Sequence, residues 1–388
     1  MRRTAILAGL LALSVAAPAS AHHHGGLKVE RIAQGLDNPR HVAVAPDGDV
    51  WVAEAGSGAP PSASKSCFDS AEGAACTGKT GAITKIDRWG QRRVVTGLAS
   101  FAPASGDSAI GPHGIFAGRG NVLFTNGGPT EPLRGGVTVL RDPTLVSEEP
   151  ISRLYGTLRV IGRHGRTFKL ADIWRAEFKH NWDAADANDH IDSNPVDVLA
   201  DRGRLYVADA GGNTLLKVGP FGRVRPLAIF PNKTVPDPFG GPDDSMQAVP
   251  TGVVKGPDGA LYMSQLTGFP FPIGGANVYR VDPRTGAVSI YATGFTNIMD
   301  LDFGRNGTLY VLEIDADSLI PPIGPSTDGG LFTVPGHRGA PIDGTPVALP
   351  AGTLTEPGGI AVGRRGELYI SNHGREDQVG EVLRISLG

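Results

Sequence analysis

The chain has 388 residues, of which 55 are Gly and 31 are Pro, more than a fifth of it against about 12% in average usage. Charged residues make 19%, aromatics 6% and apolar residues 40%, with a formal net charge of −3. This composition excludes a heptad-built coiled coil and leaves no basic footprint for nucleic acid, while the abundance of turn residues points to many short strands.

The first 21 residues read as an export signal. Arg2 and Arg3 form a basic start, residues 5–17 an apolar run, and Ala19-Ser20-Ala21 a small-residue cleavage site. The run falls short of the roughly 20 residues that span a bilayer, so an exported chain without membrane insertion is expected. Cleavage would expose His22-His23-His24, a possible chelator of copper or nickel but more simply a polar tail. Residues 22–388 read as one domain. Its first segment, LKVERIAQGL, has the pattern of RRVVTGL further on, a strand that ends a unit.

Six repeats follow, starting near 38, 111, 194, 249, 296 and 356. They read NPRHVAVAPDGDVWVAEAG, GPHGIFAGRGNVLFTNGG, NPVDVLADRGRLYVADAGGN, VPTGVVKGPDGALYMSQ, TNIMDLDFGRNGTLYVLEID and EPGGIAVGRRGELYISNHG. Each is strand, turn, strand, and the Asp-Gly and Asn-Gly pairs supply the positive φ of hairpin turns. A third strand is expected at ITKID, VTVL, LLKV, VYRVD, LFTV and VLRI, and a fourth after most of them. Four-stranded units repeated radially predict an all-β, six-bladed β-propeller. The last repeat stops after its third strand, so residues 27–36 are predicted to complete that blade and close the ring.

Between the repeats lie insertions. Cys67 and Cys76, the only cysteines, are expected to pair and close a short surface loop. Residues 73–80 match the phosphate-binding pattern GxxxxGK[ST], but the strand and helix that such a loop needs are missing, and the match is read as coincidence. Near residues 170–187, Ile173, Trp174, Phe178 and Trp182 recur at helical spacing and predict a short helix packed on a propeller face. Segments 56–80, 127–135, 231–247 and 321–329 read as long loops without internal pattern.

Two columns of the repeat alignment are polar. Three residues beyond each second-strand centre come Glu54, Asn126, Asp209, Gln265, Glu313 and Asn372. Two residues beyond the first-strand opening come His41, Gly114, Asp197, Gly252, Asp300 and Gly359. Odd blades carry a carboxylate plus His or Asp; even blades carry an amide plus Gly. Equivalent positions of a propeller form rings, so a polar ring near the channel mouth is expected. It would include Asp197 and Asp300, with Glu54, Asp209 and Glu313 as a pseudo-threefold metal set. Oxygen-only donors suit Ca²⁺. His41 and His113 are the candidate bases if the site is catalytic. The plainer expectation is a channel filled with ordered water.

VADAGGN and the PDG turns resemble those of six-bladed NHL-type and SMP-30/gluconolactonase-like propellers. Over nearly the whole mature chain, GLDNPRHVAVAPDGDVWVAEAGSG, GAITKID, GPHGI, LFTNGG, the helix before DSNPVDVLA, and YVADAGGNTLL are similar to the scytonemin-biosynthesis D/E family. That resemblance implies an exported six-bladed propeller without a defined chemistry. Resemblance to SMP-30-like enzymes and paraoxonases implies a channel Ca²⁺, for which Glu54, Asn126, Asp209 and Glu313 are the counterparts by residue type and ring position. The leading expectation is an exported, monomeric propeller in the extracellular, periplasmic or cell-wall space. It binds a small molecule or an extracellular protein through its channel mouth and long loops, without a demonstrable catalytic centre. The alternative is a Ca²⁺-dependent lactonase or related hydrolase.

Overall fold

The computed structural model describes residues 26–60, 62–63, 67–70, 73–128, 153–184, 191–320 and 327–387. The segment expected to be an export signal and the three histidines after it lie outside these residues.

Each repeat folds as an antiparallel sheet because its strands alternate tight turns with apolar centres. Blade 1 contains Pro39–Val44, Val50–Glu54, Gly73–Asp87 and Gly90–Pro103. Blade 2 contains Pro112–Ala117, Val122–Asn126, Thr157–Ile161 and Thr167–Asp172; blade 3 contains Pro195–Asp201, Arg204–Asp209, Thr214–Val218 and Val224–Ile229. Blade 4 is Pro250–Lys255, Leu261–Gln265, Ala276–Val281 and Val288–Phe295, and blade 5 is Ile298–Phe303, Leu309–Glu313, Gly330–Val334 and the short Thr345–Pro346. Blade 6 takes Gly359–Val362, Leu368–Asn372 and Gly380–Ser386 from the C-terminal end and Lys28–Leu36 from the N-terminal end. Lys28 pairs with Ser386 and Leu36 with Gly380, so the ring closes as the missing fourth strand requires. The fold is a six-bladed β-propeller.

The core lies between blades. Tyr206, Leu215, Met263, Tyr279 and Val281 pack between blades 3 and 4, and Tyr262, Val278, Phe295, Leu309 and Val311 between blades 4 and 5. Second strands such as VLFTN, LYMSQ and LYISN are buried at every residue, because both of their faces meet a neighbouring blade. Each Leu-sized side chain buried this way contributes about 1.5–3 kcal/mol.

Three local readings change. The third strand of blade 2 is TLRVI rather than VTVL, which lies outside the described residues; TLRVI pairs with Val122–Asn126 and buries Leu158 completely. Residues 231–247 do carry a pattern, a small hairpin of Lys233–Val235 and Asp244–Met246. Cys67 and Cys76 do pair, but across a strand ladder: Cys67–Ser70 lies against the first part of the 15-residue strand Gly73–Asp87. The same extended strand holds the GxxxxGK[ST] match, so no helix N-terminus follows it. With a sequence separation of nine between the cysteines, the bond contributes roughly 2–3 kcal/mol in the chain-entropy model. Cys67→Ser plus Cys76→Ser should therefore lower the unfolding free energy measured in urea by that amount and leave the native fold. A protein that fails to fold would show the hairpin to be part of the core.

The helix forms where its spacing predicts. It spans Ile173–His180, capped by the Asp172 side chain on the Arg175 N–H at 3.1 Å, and stops at Asn181 in left-handed geometry. Ile173 and Trp174 are buried, while Phe178 stacks on Trp174 with half of its surface exposed. Among the described residues, no helix is long and apolar enough to cross a membrane.

The up-down order of every blade sends second-to-third and fourth-to-first connections to one face. Segment 231–247, the described part of 56–80 and the helix belong to such connections, whereas most of 127–135 and of 321–329 lies outside the described residues. Among the described residues the opposite face carries short turns and one longer connection, residues 335–344, whose Ile342–Asp343 pairs parallel with Val288–Phe295.

Candidate functional site

First strands of neighbouring blades surround the axis without a ladder between them. Their backbone groups must find other partners, since buried N–H and C=O groups are costly to leave unpaired. Side chains supply them. Asp197 accepts the Val198 N–H with Oδ1 and the Val253 N–H of blade 4 with Oδ2, both at 2.7 Å. Asp300 accepts from Leu301 (2.8 Å) and from Ile360 of blade 6 (2.9 Å). One step deeper, Asp302 accepts from Phe303 and from Val362 of blade 6, both at 2.7 Å. Across the other gaps, His113 Nδ1 meets the Val196 carbonyl at 2.9 Å, Thr251 donates to Ile298 O at 2.8 Å, and Ser371 donates to Arg40 O at 2.5 Å. Arg40 ties blade 1 to the entry of blade 2 through the Ala109 carbonyl at 2.5 Å.

His41, Asp197 and Asp300 converge at the loop-bearing end of this lacing. Their ligand-type atoms lie within 4.8 Å of one another, and no other such group of three His, Cys, Asp or Glu occurs among the described residues. His41 Nδ1 is 3.1 Å from Asp197 Oδ1, and its Nε2 is buried without a hydrogen-bond partner. The alternation with glycine has a steric cause. A Cβ on Gly114 would sit 2.3 Å from Asp197 Cα, on Gly252 2.8 Å from Asp300 Oδ1, and on Gly359 2.6 Å from His41 Cα. Odd blades can place a functional side chain on the axis only because even blades place none.

Charge on this group is set by burial and by mutual attraction. Burial disfavours an imidazolium at His41, but the carboxylates of Asp300 and Asp197, helped by the Met299 backbone, outweigh it and push its pKa up to about 9. Burial also raises Asp300, which His41 partly offsets. Asp302 is raised to about 6 by burial, against the pull of its two amide bonds. His113 lies edge-on to His41 at 5.2 Å, and burial together with the charges of Arg40 and His41 holds it well below the usual imidazole range. At neutral pH the axis therefore holds a charged His41 and a neutral His113.

The other column has a local job. Its residues face the openings of the first strands: Pro39 pairs with Glu54, Pro112 with Asn126, Pro195 with Asp209, Pro250 with Gln265 and Ile298 with Glu313. Proline has no N–H to give to the ladder. In four blades the facing side chain instead takes an N–H just upstream of the opening. Glu54 accepts from Asp37 (3.0 Å), Asp209 from Asn194 (2.6 Å), Glu313 from Thr296 (2.6 Å) and Asn372 from Thr355 (2.8 Å). Asn126 donates to Ala99 O and Gly127 O at 3.3 Å, and Gln265 accepts from Asn277 and the Tyr279 hydroxyl at 3.0 Å.

The expected metal set of Glu54, Asp209 and Glu313 does not converge. Each carboxylate sits one strand out from the axis and turns toward its own blade's entry loop. Glu54 is further committed to the Arg93 guanidinium and the Thr84 hydroxyl. Burial raises Asp209 to about 6 and Glu313 to about 8.

First strands of all six blades line a cavity of about 190 Å³, among them His41, Phe116, Leu199, Val253, Asp302 and Val362.

No protein-family model and no curated protein matches the chain. Among solved structures it is similar to virginiamycin B lyase from Staphylococcus aureus, with 14% identity over 93% of this chain and 100% of that one at a TM-score of 0.46. It is also similar to a gluconolactonase, XC5397 from Xanthomonas campestris (12%, 96% and 94%, TM-score 0.47). A third likeness is to the aldose sugar dehydrogenase of Streptomyces coelicolor in its PQQ-bound form (12%, 93% and 98%, TM-score 0.48). Likeness at this level says nothing of activity.

Proposed function

We propose that the protein is an exported binding propeller of the kind that its resemblance to the scytonemin-biosynthesis D/E family implies, with the loop-bearing face as its working surface. The observation that carries this reading is the contrast between the axis and the loop-bearing face. The axial cavity is about 190 Å³, below the roughly 300–1,000 Å³ of organic-ligand pockets, and its polar groups are occupied in joining blades. The helix, the 233–246 hairpin and the Cys67–Cys76 ladder, by contrast, all belong to connections on one face of a rigid ring, the arrangement in which loops carry recognition.

A Ca²⁺-dependent hydrolase is the weaker reading. Ca²⁺ takes six to eight oxygens. The axial group offers four carboxylate oxygens, each already holding an amide N–H, next to an imidazole held in its charged form. The set does not fit Ca²⁺.

Two measurements test the proposal. A panel of lactones and esters, with and without Ca²⁺, should give no turnover above background; turnover that disappears in His41→Ala would overturn the reading. A thermal-shift screen of small molecules should give hits that vanish when residues 233–246 are replaced by a short turn. Hits that survive that replacement and respond only to His41 would move the site back to the axis.

A further inference from the structure

A second buried polar cluster lies beside the helix, independent of the axis. Glu177 is completely buried. Its Oε1 accepts the Trp182 backbone N–H at 2.9 Å, while Oε2 has no hydrogen-bond partner. It faces the turn between the second and third strands of blade 3, where two successive glycines make room. A Cβ on Gly211 would lie 2.3 Å from Asp192 Oδ1; one on Gly212 would lie 3.1 Å from Glu177 Oε2 and 3.3 Å from the Asp192 carbonyl oxygen. Glu177 Oε2 and the Asp192 carbonyl oxygen thus share the gap over Gly212, while the Asp192 carboxylate lies over the adjacent Gly211.

Among the described residues, the charged groups that act most strongly on Glu177 are acidic. Burial first, then Asp209, Asp183 and Asp192, push its pKa up to about 8. Asp209 is itself raised by burial, and Asp183 is held by the Asn213 side-chain amide at 2.9 Å. An unpartnered buried oxygen in a negative field is stable only if a proton or a cation arrives.

We propose that Glu177 and Asp192 bind a hard divalent cation, of Ca²⁺ or Mg²⁺ chemistry, beside the Gly211-Gly212 turn, with Asp183 and Asp209 supplying surrounding charge. The donors are oxygens, which select hard cations over zinc or copper. These carboxylates do not close to a common group within 4.8 Å as the axial three do, so part of the ion's shell is left to water, which such cations retain. The ion joins the helix to blade 3 on the loop-bearing face.

Terbium(III) is a luminescent stand-in for Ca²⁺ and is excited by adjacent tryptophan; Trp182 is bonded to the Glu177 carboxylate through its backbone. EDTA-treated wild type titrated with Tb³⁺ should show saturable sensitised emission at one site, displaced by Ca²⁺ or by Mg²⁺, whichever is the preferred ion. Affinity should fall at least about tenfold in Glu177→Gln and in Gly212→Ala, and stay unchanged in Glu313→Gln, with circular dichroism confirming folding of each. Wild-type affinity in Glu177→Gln overturns the proposal. So does a wild type that gives no emission and no calcium response; its cluster would be neutralised by protons instead.

Discussion

Removing residues 27–36 should leave a protein that melts far below one that keeps them. Lys28–Leu36 forms the outer strand of blade 6 along the whole of Gly380–Ser386 and buries Leu36 and Ala33 almost completely in the seam between blades 6 and 1. Leu36 alone contributes about 1.5–3 kcal/mol by burial. Several ladder hydrogen bonds add about 1 kcal/mol each. The total, on the order of 5 kcal/mol or more, is comparable to the roughly 5–15 kcal/mol that holds most domains together. The exposed edge of Gly380–Ser386 would also invite pairing with another chain, so aggregation should accompany the loss. Equal melting temperatures for the chains with and without residues 27–36 would refute closure as a source of stability.

Asp300→Ala should cost about 3–5 kcal/mol, the range for breaking a buried charged network by removing one member. It strands the N–H groups of Leu301 and Ile360 and takes from His41 its strongest attracting charge. The variant also changes the pH dependence. His41 is raised in the folded state, so its stabilisation is complete below about 6.5 and is lost as pH rises through about 9. Asp209, Asp302 and Glu313 are raised by burial to about 6, 6 and 8, so the folded state keeps protons that the unfolded chain has released. Each of these makes stability fall as pH rises through its folded value. His113, held low, acts the other way near pH 6.5. With one group against several, the wild type should be more stable near pH 5 than near pH 9, measured by urea unfolding across that range. The decline between pH 6.5 and 9 should flatten in Asp300→Ala. A wild-type curve that rises across this window, or an Asp300→Ala midpoint close to that of the wild type, would remove the axial bracing from the account.

Blade number and closure were legible because they depend on counting: six aligned hairpins, and a last repeat one strand short. The third strand of blade 2 was not, because VTVL and TLRVI have the same alternation of β-branched residues and only pairing separates them. The alignment also identified both polar columns. It could say which residues are equivalent but not how far from the axis each ring lies, and so it placed a metal set on Glu54, Asp209 and Glu313. The clue to radius was in the glycines. A ring alternating His41, Asp197 and Asp300 with Gly114, Gly252 and Gly359 marks the crowded axis, whereas a ring of uniformly large polar residues marks a wider circle. Glu177 escaped notice because a glutamate on an amphipathic helix ordinarily faces water, and only the packing of Gly211 and Gly212 shows otherwise.

Joining Lys28 to Ser386 across the chain has a consequence for folding order. The strand made first has its partner among those made last, so the ring is shut by the contact of greatest sequence separation. Blades 1 to 5 can assemble from local hairpins as the chain emerges, while the seam between blades 6 and 1 must wait for the final residues. Non-local pairings of this kind slow closure and keep the ring open until Gly380–Ser386 has been made. Lys28 and Ser386 also finish side by side, so a circular permutant that links them and opens instead at an exposed hairpin turn should retain the same six blades while nucleating them in a different sequence.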